Sequence, residues 1–487
     1  MFTTNLEDKK TKIIATLGPA SLNEDTLREL ILEGVDVFRF NASHNAEPKQ
    51  LKKNIKLIRK ISKKLDRYVG ILLDLQGPKI RVGKIEGDSV ELVKGQPFSL
   101  SAEECLGSSK KASITYDGLV KDVSKGDLVY IDDGKIQLSV KETSGTQVKC
   151  DVIRGGTLSN NKGVNLPLTK MSISPYTKKD QLDVKNCHKL GLDYLALSFV
   201  CHEDDIKRIK LELKKLKADH IKIIAKIERQ QAIDRLVPII DEADAIMVAR
   251  GDLGVEVGVE KVPRLQKLII RESNKRIKPV IVATQMLESM ILQETATRAE
   301  VSDVANAVYD NCDAVMLSAE TAVGINPGNV VKVMVDICTA SEEHKMEIRK
   351  DYTFVTKNMF TQDTRQTSLC NAANQVAESN KANAIISFTS SGATPLVVSK
   401  AKSSFPIIAP TDVDHVRNQM CLYRGVFPLT MPKPFNRIKT FTDMIKIAVK
   451  EAKKKGYLSA GDTVVVTAGI PIGESNGINS IRVVDVK

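Results

Sequence analysis

Short runs of apolar, mostly β-branched residues recur along the chain, and the stretches between them carry apolar residues at the spacing of an amphipathic helix. Eight runs, at 12–16, 35–40, 68–74, 194–199, 221–227, 243–248, 279–284 and 313–317, predict eight strands. Strands alternating with helices are the mark of parallel β/α units, and eight of them predict an α/β fold, a closed (β/α)8 TIM barrel. Six of the seven gaps between successive strand ends span 21 to 36 residues, whereas the gap after Asp74 spans 125. That length predicts a domain inserted after the third strand.

The insert has its own pattern. Short strands predicted at 80–83, 89–93, 128–131, 136–140 and 147–153 are separated by the turn pairs Gly126-Asp127, Asp133-Gly134 and Gly155-Gly156. This is the spacing of a small β-barrel or sandwich, expected here as a β-barrel cap hinged over the barrel mouth. After the eighth strand a helix from Pro327 to about Lys350 leads to a third α/β segment, with strands near 384–388, 406–409, 463–466 and 481–486. The expected domains are therefore barrel (1–77 and 176–351), inserted β cap (78–175) and C-terminal α/β regulatory domain (352–487), the last boundary near Tyr352.

Composition narrows the function classes. Hydrophobic residues at 42% and charged residues at 27% of 487 residues are ordinary globular values, and no apolar run nears the roughly 20 residues of a spanning helix, so no membrane partner is expected. Residues 1–11 are charged and run straight into a strand pattern, which predicts a cytoplasmic protein. Eight cysteines without a CxxC pair predict free thiols, neither a disulfide framework nor a zinc site. A net charge of +12 suits either nucleic acid or anionic phosphates. The lysine-rich stretches 207–217 and 446–455 interleave with Ile, Leu and Val as solvated amphipathic faces do, and with 4% aromatic residues and no Trp there is little to stack on bases. No specific nucleic-acid partner is expected.

The active site of such a barrel lies at the C-terminal ends of its strands, so the residues just past each apolar run are the candidates. Strand two ends in Arg39, Asn41 and Ser43, strand three in Asp74, and strand five in Lys226 and Glu228. Strand six ends in Arg250 and Asp252, strand seven in Thr284, and strand eight in Ser318 and Glu320. Any one alone would pass for a solvated loop residue or helix cap; together they converge on one mouth. Glu228 and Asp252 form a carboxylate pair suited to one hard divalent cation, and without His or Cys beside them magnesium fits better than zinc. Arg39, Arg81 and Lys226 supply fixed cations for a substrate with several negative charges. Gly251, at the head of a loop entering a helix, offers a backbone N–H to a carboxylate. No Ser-His-Asp or Cys-His nucleophile stands out, and His44 beside Ser43 is as much a loop histidine as a phosphate contact. Metal, cations and no nucleophile point to phosphoryl transfer.

At these residues the sequence resembles the pyruvate kinase family over nearly its whole length. The likeness is carried by Thr16-Leu17-Gly18-Pro19-Ala20-Ser21, Arg39-Phe40-Asn41-Ala42-Ser43-His44, Asp74-Leu75-Gln76-Gly77-Pro78-Lys79-Ile80-Arg81, Ala225-Lys226-Ile227-Glu228, Ala249-Arg250-Gly251-Asp252-Leu253-Gly254, Ala283-Thr284-Gln285-Met286-Leu287-Glu288 and Met316-Leu317-Ser318-Ala319-Glu320-Thr321. The resemblance implies a glycolytic phosphotransferase that moves the phosphoryl group of phosphoenolpyruvate to ADP, giving pyruvate and ATP, usually as a homotetramer. It implies that Lys226 steadies the migrating phosphoryl group and the enolate, that Glu228 and Asp252 hold magnesium or manganese, and that Thr284 lies near the enolate carbon. It implies that Arg39 grips the phosphate, with Arg81 across the site on the cap, and that Gly251 and Asp252 help bind substrate. Thr16, Pro19, Asn41, His44, Arg81 and Lys179 would contact the nucleotide. A competing enolate enzyme on the same barrel, such as an aldolase or another phosphoenolpyruvate-handling transferase, lacks the inserted cap and the Lys226, Glu228, Asp252 spacing. A silent binding protein would need a defect that these filled positions do not reveal.

One departure is informative. Many family members bind potassium through positions matching Asn41, Ser43, Asp74 and a following threonine, and carry glutamate where this chain has Lys79. Here the threonine position is Leu75, which has no side-chain oxygen, while the Lys79 ammonium is itself a tethered monovalent charge. The expectation is that potassium is dispensable. In the third domain the turn Thr389-Ser390-Ser391-Gly392-Ala393-Thr394 matches the family's sugar-phosphate effector turn; plain N-capping accounts for it equally well. A loop at 469–479 would complete that pocket.

Overall fold

The computed structural model describes residues 9–44, 47–167, 169–351, 365–401, 403–470 and 477–487. All eight expected strands form: β1 (Lys12–Thr16), β2 (Val37–Asn41), β3 (Gly70–Asp74), β4 (Tyr194–Leu197), β5 (Lys222–Ile227), β6 (Ala245–Ala249), β7 (Val280–Ala283) and β8 (Ala314–Leu317). They close in the order β1-β8-β7-β6-β5-β4-β3-β2, every pair parallel. Alternation along each strand sorts the side chains. Ile13, Phe38, Phe40, Ile71, Ile223 and Val248 face outward beneath the helices. Ile14, Val37, Leu72, Ala196, Ile224 and Met247 fill the interior. One period above that inner layer come Thr16, Arg39, Asp74, Ser198 and Lys226, so the same pleat that buries the core delivers these polar groups to the mouth.

Several strands start one or two residues later than expected, and the reason is a device at the barrel floor. The residue before each of β2, β4, β6 and β8 is aspartate, and its carboxylate accepts an N–H from the neighbouring strand: Asp36 from Ile13 (2.8 Å), Asp193 from Ile71 (2.7 Å), Asp244 from Ile223 (2.9 Å) and Asp313 from Val280 (2.7 Å). Val35 and Ala243 thus belong to the buried turns that precede these aspartates, not to the ladder.

The insert is a curled six-stranded sheet in the order Val164–Asn165, Leu128–Ile131, Ile136–Ser144, Gln147–Arg154, Pro97–Ser101 and Lys111–Ser113, with a ribbon of Ser89–Leu92 and Gly156–Ser159 around one apolar core. The strand expected at 80–83 reduces to two isolated bridges, Arg81 with Gly163 and Val82 with Ile114, because this segment is the entry hinge and pairs only in passing.

The helix Pro327–Asp351 leads toward the C-terminal α/β domain; Tyr352 lies outside the described residues. That domain holds β9 (Ala384–Ser387), β10 (Ile407–Thr411), β11 (Val426–Thr430), β12 (Thr463–Ala468) and β13 (Ser480–Asp485) in the order β11-β10-β9-β12-β13, with only the last pair antiparallel. β11 was not expected, since Pro428 interrupts its apolar run; an edge strand tolerates a residue that cannot donate. The domain seats on the barrel floor. Tyr194 donates to Gln419 O at 2.7 Å, and buried Lys400 pairs with Asp313 while donating to Asn274 Oδ1 at 2.6 Å. Among the described residues no helix is long and apolar enough to cross a membrane.

Candidate active site

At the mouth, β3 delivers Asp74 between two cations. Arg39 Nε donates to Asp74 Oδ2 at 2.8 Å with a second guanidinium nitrogen 2.7 Å from the same oxygen, and Lys226 Nζ lies 3.4 Å from Oδ1. Thr16 accepts from Arg39 at 2.9 Å and donates to Leu317 O at 2.8 Å, so its hydroxyl orients the guanidinium. Lys226 also donates to Ser198 Oγ at 2.8 Å, and Ser198 donates to Leu75 O at 2.8 Å. Burial works against the Lys226 charge, yet Asp74 and then Glu228 outweigh it and raise its pKa, so the ammonium is charged wherever the protein works.

Glu228 is 1% exposed. Its Oε2 accepts the Phe199 N–H at 2.6 Å, which Phe199 presents by taking a left-handed φ of 56°. Its Oε1 stands 2.9 Å from Lys226 Nζ but accepts no hydrogen bond in proper geometry. Asp252, on the helix Arg250–Val257, is pushed up to about 7, first by burial and then by the Glu228 carboxylate, against the pull of Lys226. A carboxylate oxygen that accepts no hydrogen bond, beside a second acid that repels it, fits a divalent cation. Among the described residues no cluster of three or more His, Cys, Asp or Glu forms, so water and substrate oxygens would have to complete the shell of a hard ion.

Thr284 directly follows β7 with φ 72° and Gln285 comes next at 53°, conformations costly for any non-glycine residue and most of all for a β-branched one. Arg250 braces them, donating to Thr284 O at 2.6 Å and Gln285 O at 3.2 Å while paired with Asp303 at 2.6 Å. The Thr284 hydroxyl accepts the Gly251 N–H at 2.8 Å, so the donor expected to meet a substrate carboxylate is engaged by threonine in this structure. Glu320 is engaged away from the mouth cluster: it is buried, accepts from Ser318 N at 2.6 Å and Leu287 N at 3.3 Å, and ties the loops after β7 and β8 together, Ser318 contributing its backbone N–H.

Between the mouth and the cap lies a cleft of about 330 Å³, lined by Lys79, Arg81, Asp133, Phe199, Glu228 and Asp252 among others. Arg81 is held by Asn161 O at 2.6 Å. Lys79 donates to Ser43 Oγ at 2.8 Å; burial, then Arg81 and Lys226, lower its pKa, and Asp252 and Asp74 oppose them. Leu75 is buried, and the Asn41 side chain accepts the Ser43 N–H at 3.0 Å. Lys179 reaches the same loop, donating to Ala42 O at 3.0 Å. His44 and Pro19 are exposed on the adjoining loops after β2 and β1.

Three mouth groups escaped the sequence reading: Ser198, the Phe199 N–H and cap residue Asp133. Ser198 lies inside the run read as 194–199, whereas the strand ends at Leu197, so looking just past the run missed it. In the third domain Thr389 Oγ1 accepts from Gly392 N at 2.8 Å and Ser391 N at 3.3 Å, which orders the turn ahead of the helix Ala393–Lys400, whose N-cap, Gly392, makes no side-chain capping bond; part of the 469–479 loop lies outside the described residues.

Comparison with known proteins follows the same lines. Residues 8–331 match the family model for the pyruvate kinase barrel domain, and residues 367–484 the model for the pyruvate kinase alpha/beta domain. The pyruvate kinases of Staphylococcus aureus strains USA300 and COL are each 40% identical over 484 residues, 98% of this chain and 80% of theirs. The crystal structure of a pyruvate kinase from Cryptosporidium parvum superposes with a TM-score of 0.89 at 34% identity, covering 99% of this chain and 97% of that one.

Proposed function

This chain belongs to the pyruvate kinase family of phosphotransferases, and from that premise we propose that it transfers the phosphoryl group of phosphoenolpyruvate to ADP in glycolysis without requiring potassium. The observation that supports the reading most is the convergence of Arg39, Asp74, Lys226 and Glu228, from the ends of β2, β3 and β5, into one ion-paired cluster at the barrel mouth. Arg39 and Lys226 face the transferring group as pre-set cations, and Asp74 holds both in place. Lys226 stays charged as negative charge develops on the enolate oxygen. Thr284, strained at the end of β7, sits where the enolate carbon receives its proton, and Gly251 and Asp252 border the same substrate position. Glu228 and Asp252 would hold magnesium or manganese, which supplies further positive charge beside the phosphoryl oxygens. Thr16, Pro19, Asn41, His44, Arg81 and Lys179 border the nucleotide side.

Potassium independence rests on Lys79. Its ammonium lies on Ser43, both Asp74 oxygens are committed to Arg39 and Lys226, and Leu75 offers no oxygen, so a monovalent cation is supplied by the chain itself. A cytoplasmic location agrees with eight free cysteines. The same reading includes a homotetramer and a sugar-phosphate effector at Thr389, Ser390, Ser391, Gly392 and Thr394; calorimetric titration with sugar bisphosphates showing no heat would retire the effector. The test of the reaction is pyruvate formation from phosphoenolpyruvate and ADP with magnesium. Turnover that needs both substrates supports the proposal, and none under any effector condition contradicts it.

A further inference from the structure

Glu228 and Asp252 come from different elements, yet each has a near neighbour in one shared, buried ion pair. Arg229 follows Glu228 directly, and Glu256 lies one helical turn beyond Asp252. Arg229 Nε is 3.4 Å from Glu256 Oε1, with both side chains 5% exposed. The same guanidinium donates to Thr169 O at 2.9 Å and touches Met171 Sδ at 3.5 Å, and Gln231 Nε2 also donates to Thr169 O at 3.1 Å. Thr169 and Met171 lie on the chain returning from the cap to the barrel. One guanidinium therefore joins the end of β5, the helix bearing Asp252 and the cap hinge.

A buried ion pair gives little net stability over apolar residues of the same volume, so mere adhesion of helix to strand does not account for this one. Arg229 Nε also finds no acceptor in hydrogen-bond geometry, so charge holds the pair, and Glu256 Oε1 accepts the Gln230 N–H at 3.5 Å as well. We propose that Arg229 and Glu256 are positioning residues that set the separation of the Glu228 and Asp252 carboxylates and link it to the attitude of the cap. This rests on the reading that those carboxylates hold the divalent cation.

Direct Mn2+ binding to the substrate-free full chain, followed by loss of the free-ion electron paramagnetic resonance signal, tests it. Arg229→Met is expected to weaken binding about tenfold or more, as removal of a group that orients a ligand does, Arg229→Lys to recover part of it, and Glu256→Gln to weaken it similarly. The Michaelis constant for ADP should rise in step as the hinge loosens. Native Mn2+ affinity in Arg229→Met with only a lowered unfolding midpoint would reduce the pair to a structural one and overturn the proposal. Should Arg229→Met fail to fold, native affinity in both Arg229→Lys and Glu256→Gln would overturn it equally. Glu228→Gln separates the two ideas: unchanged Mn2+ binding there defeats the metal assignment itself, while its loss alongside unaffected Arg229 and Glu256 variants defeats only the positioning role.

Discussion

The two ends of the barrel use the same residue types and treat them differently. At the floor, carboxylates are closed off, although the Nε of Arg424 beside Glu342 finds no acceptor. Asp36 takes Lys9 at 2.6 Å, Lys12 at 3.3 Å and a backbone N–H; Asp193 takes Arg59 at 2.6 Å and another N–H; Glu342 accepts from Lys10 N, Thr11 N and the Thr11 hydroxyl at 2.6–2.7 Å, with Arg424 at 3.5 Å. At the mouth the pairing is looser: the Glu228 oxygen 2.9 Å from Lys226 lacks a hydrogen bond, burial and Glu228 push Asp252 up to about 7, and Lys79 donates to a hydroxyl. Buried charge that is fully paired fixes a structure, whereas buried charge left short of partners beside a cleft awaits a ligand. Composition cannot distinguish the two ends; the pairing of the floor carboxylates as against Glu228 and Asp252 can.

The sharpest way to break this comparison is to remove one buried lysine from each end. Lys226→Met should lower kcat by roughly 10²–10³ or more, the scale of losing a pre-set charge-stabilising group. A kcat within tenfold of native, measured on folded protein, would deny the mouth its role. Lys400→Met should instead cost ~3–5 kcal/mol of stability by leaving Asp313 buried and unpaired, with turnover little changed. Urea unfolding together with the assay reads both, and a large kcat loss without destabilisation would erase the distinction.

A smaller effect sharpens the floor. Burial tends to raise the Glu342 carboxyl, but Arg424, the Thr11 hydroxyl and the Lys10 N–H outweigh it and hold the folded pKa below the ordinary 4.5. A depressed folded pKa contributes stability that is present above 4.5 and lost as pH falls through the lower folded value. Urea midpoints taken from about pH 6 down to pH 3 should therefore fall less steeply for Glu342→Gln than for the native chain. Parallel profiles would show that Glu342 does not contribute to acid sensitivity.

The barrel was legible because each β/α unit carries its own period, and Arg39, Asp74, Lys226, Glu228, Asp252 and Thr284 were legible because each stands at or just past the end of an apolar run. What escaped depended on contacts distant in sequence. The hinge bond from Arg229 to Thr169 spans 60 residues with no periodicity to announce it. β11 hid behind Pro428, whose tolerance depends on an edge position that only the assembled sheet defines. The positive φ of Thr284 is a tertiary imposition by Arg250, and threonine is a residue whose own preference argues against it.

Whether the mouth carries its own monovalent cation is decided by one ratio: the steady-state rate of pyruvate formation with magnesium in potassium-free buffer, divided by the rate with potassium added. A ratio near one is predicted for the native chain, falling when Lys79→Glu is combined with Leu75→Thr. Turnover by the native chain only when potassium is present would contradict it.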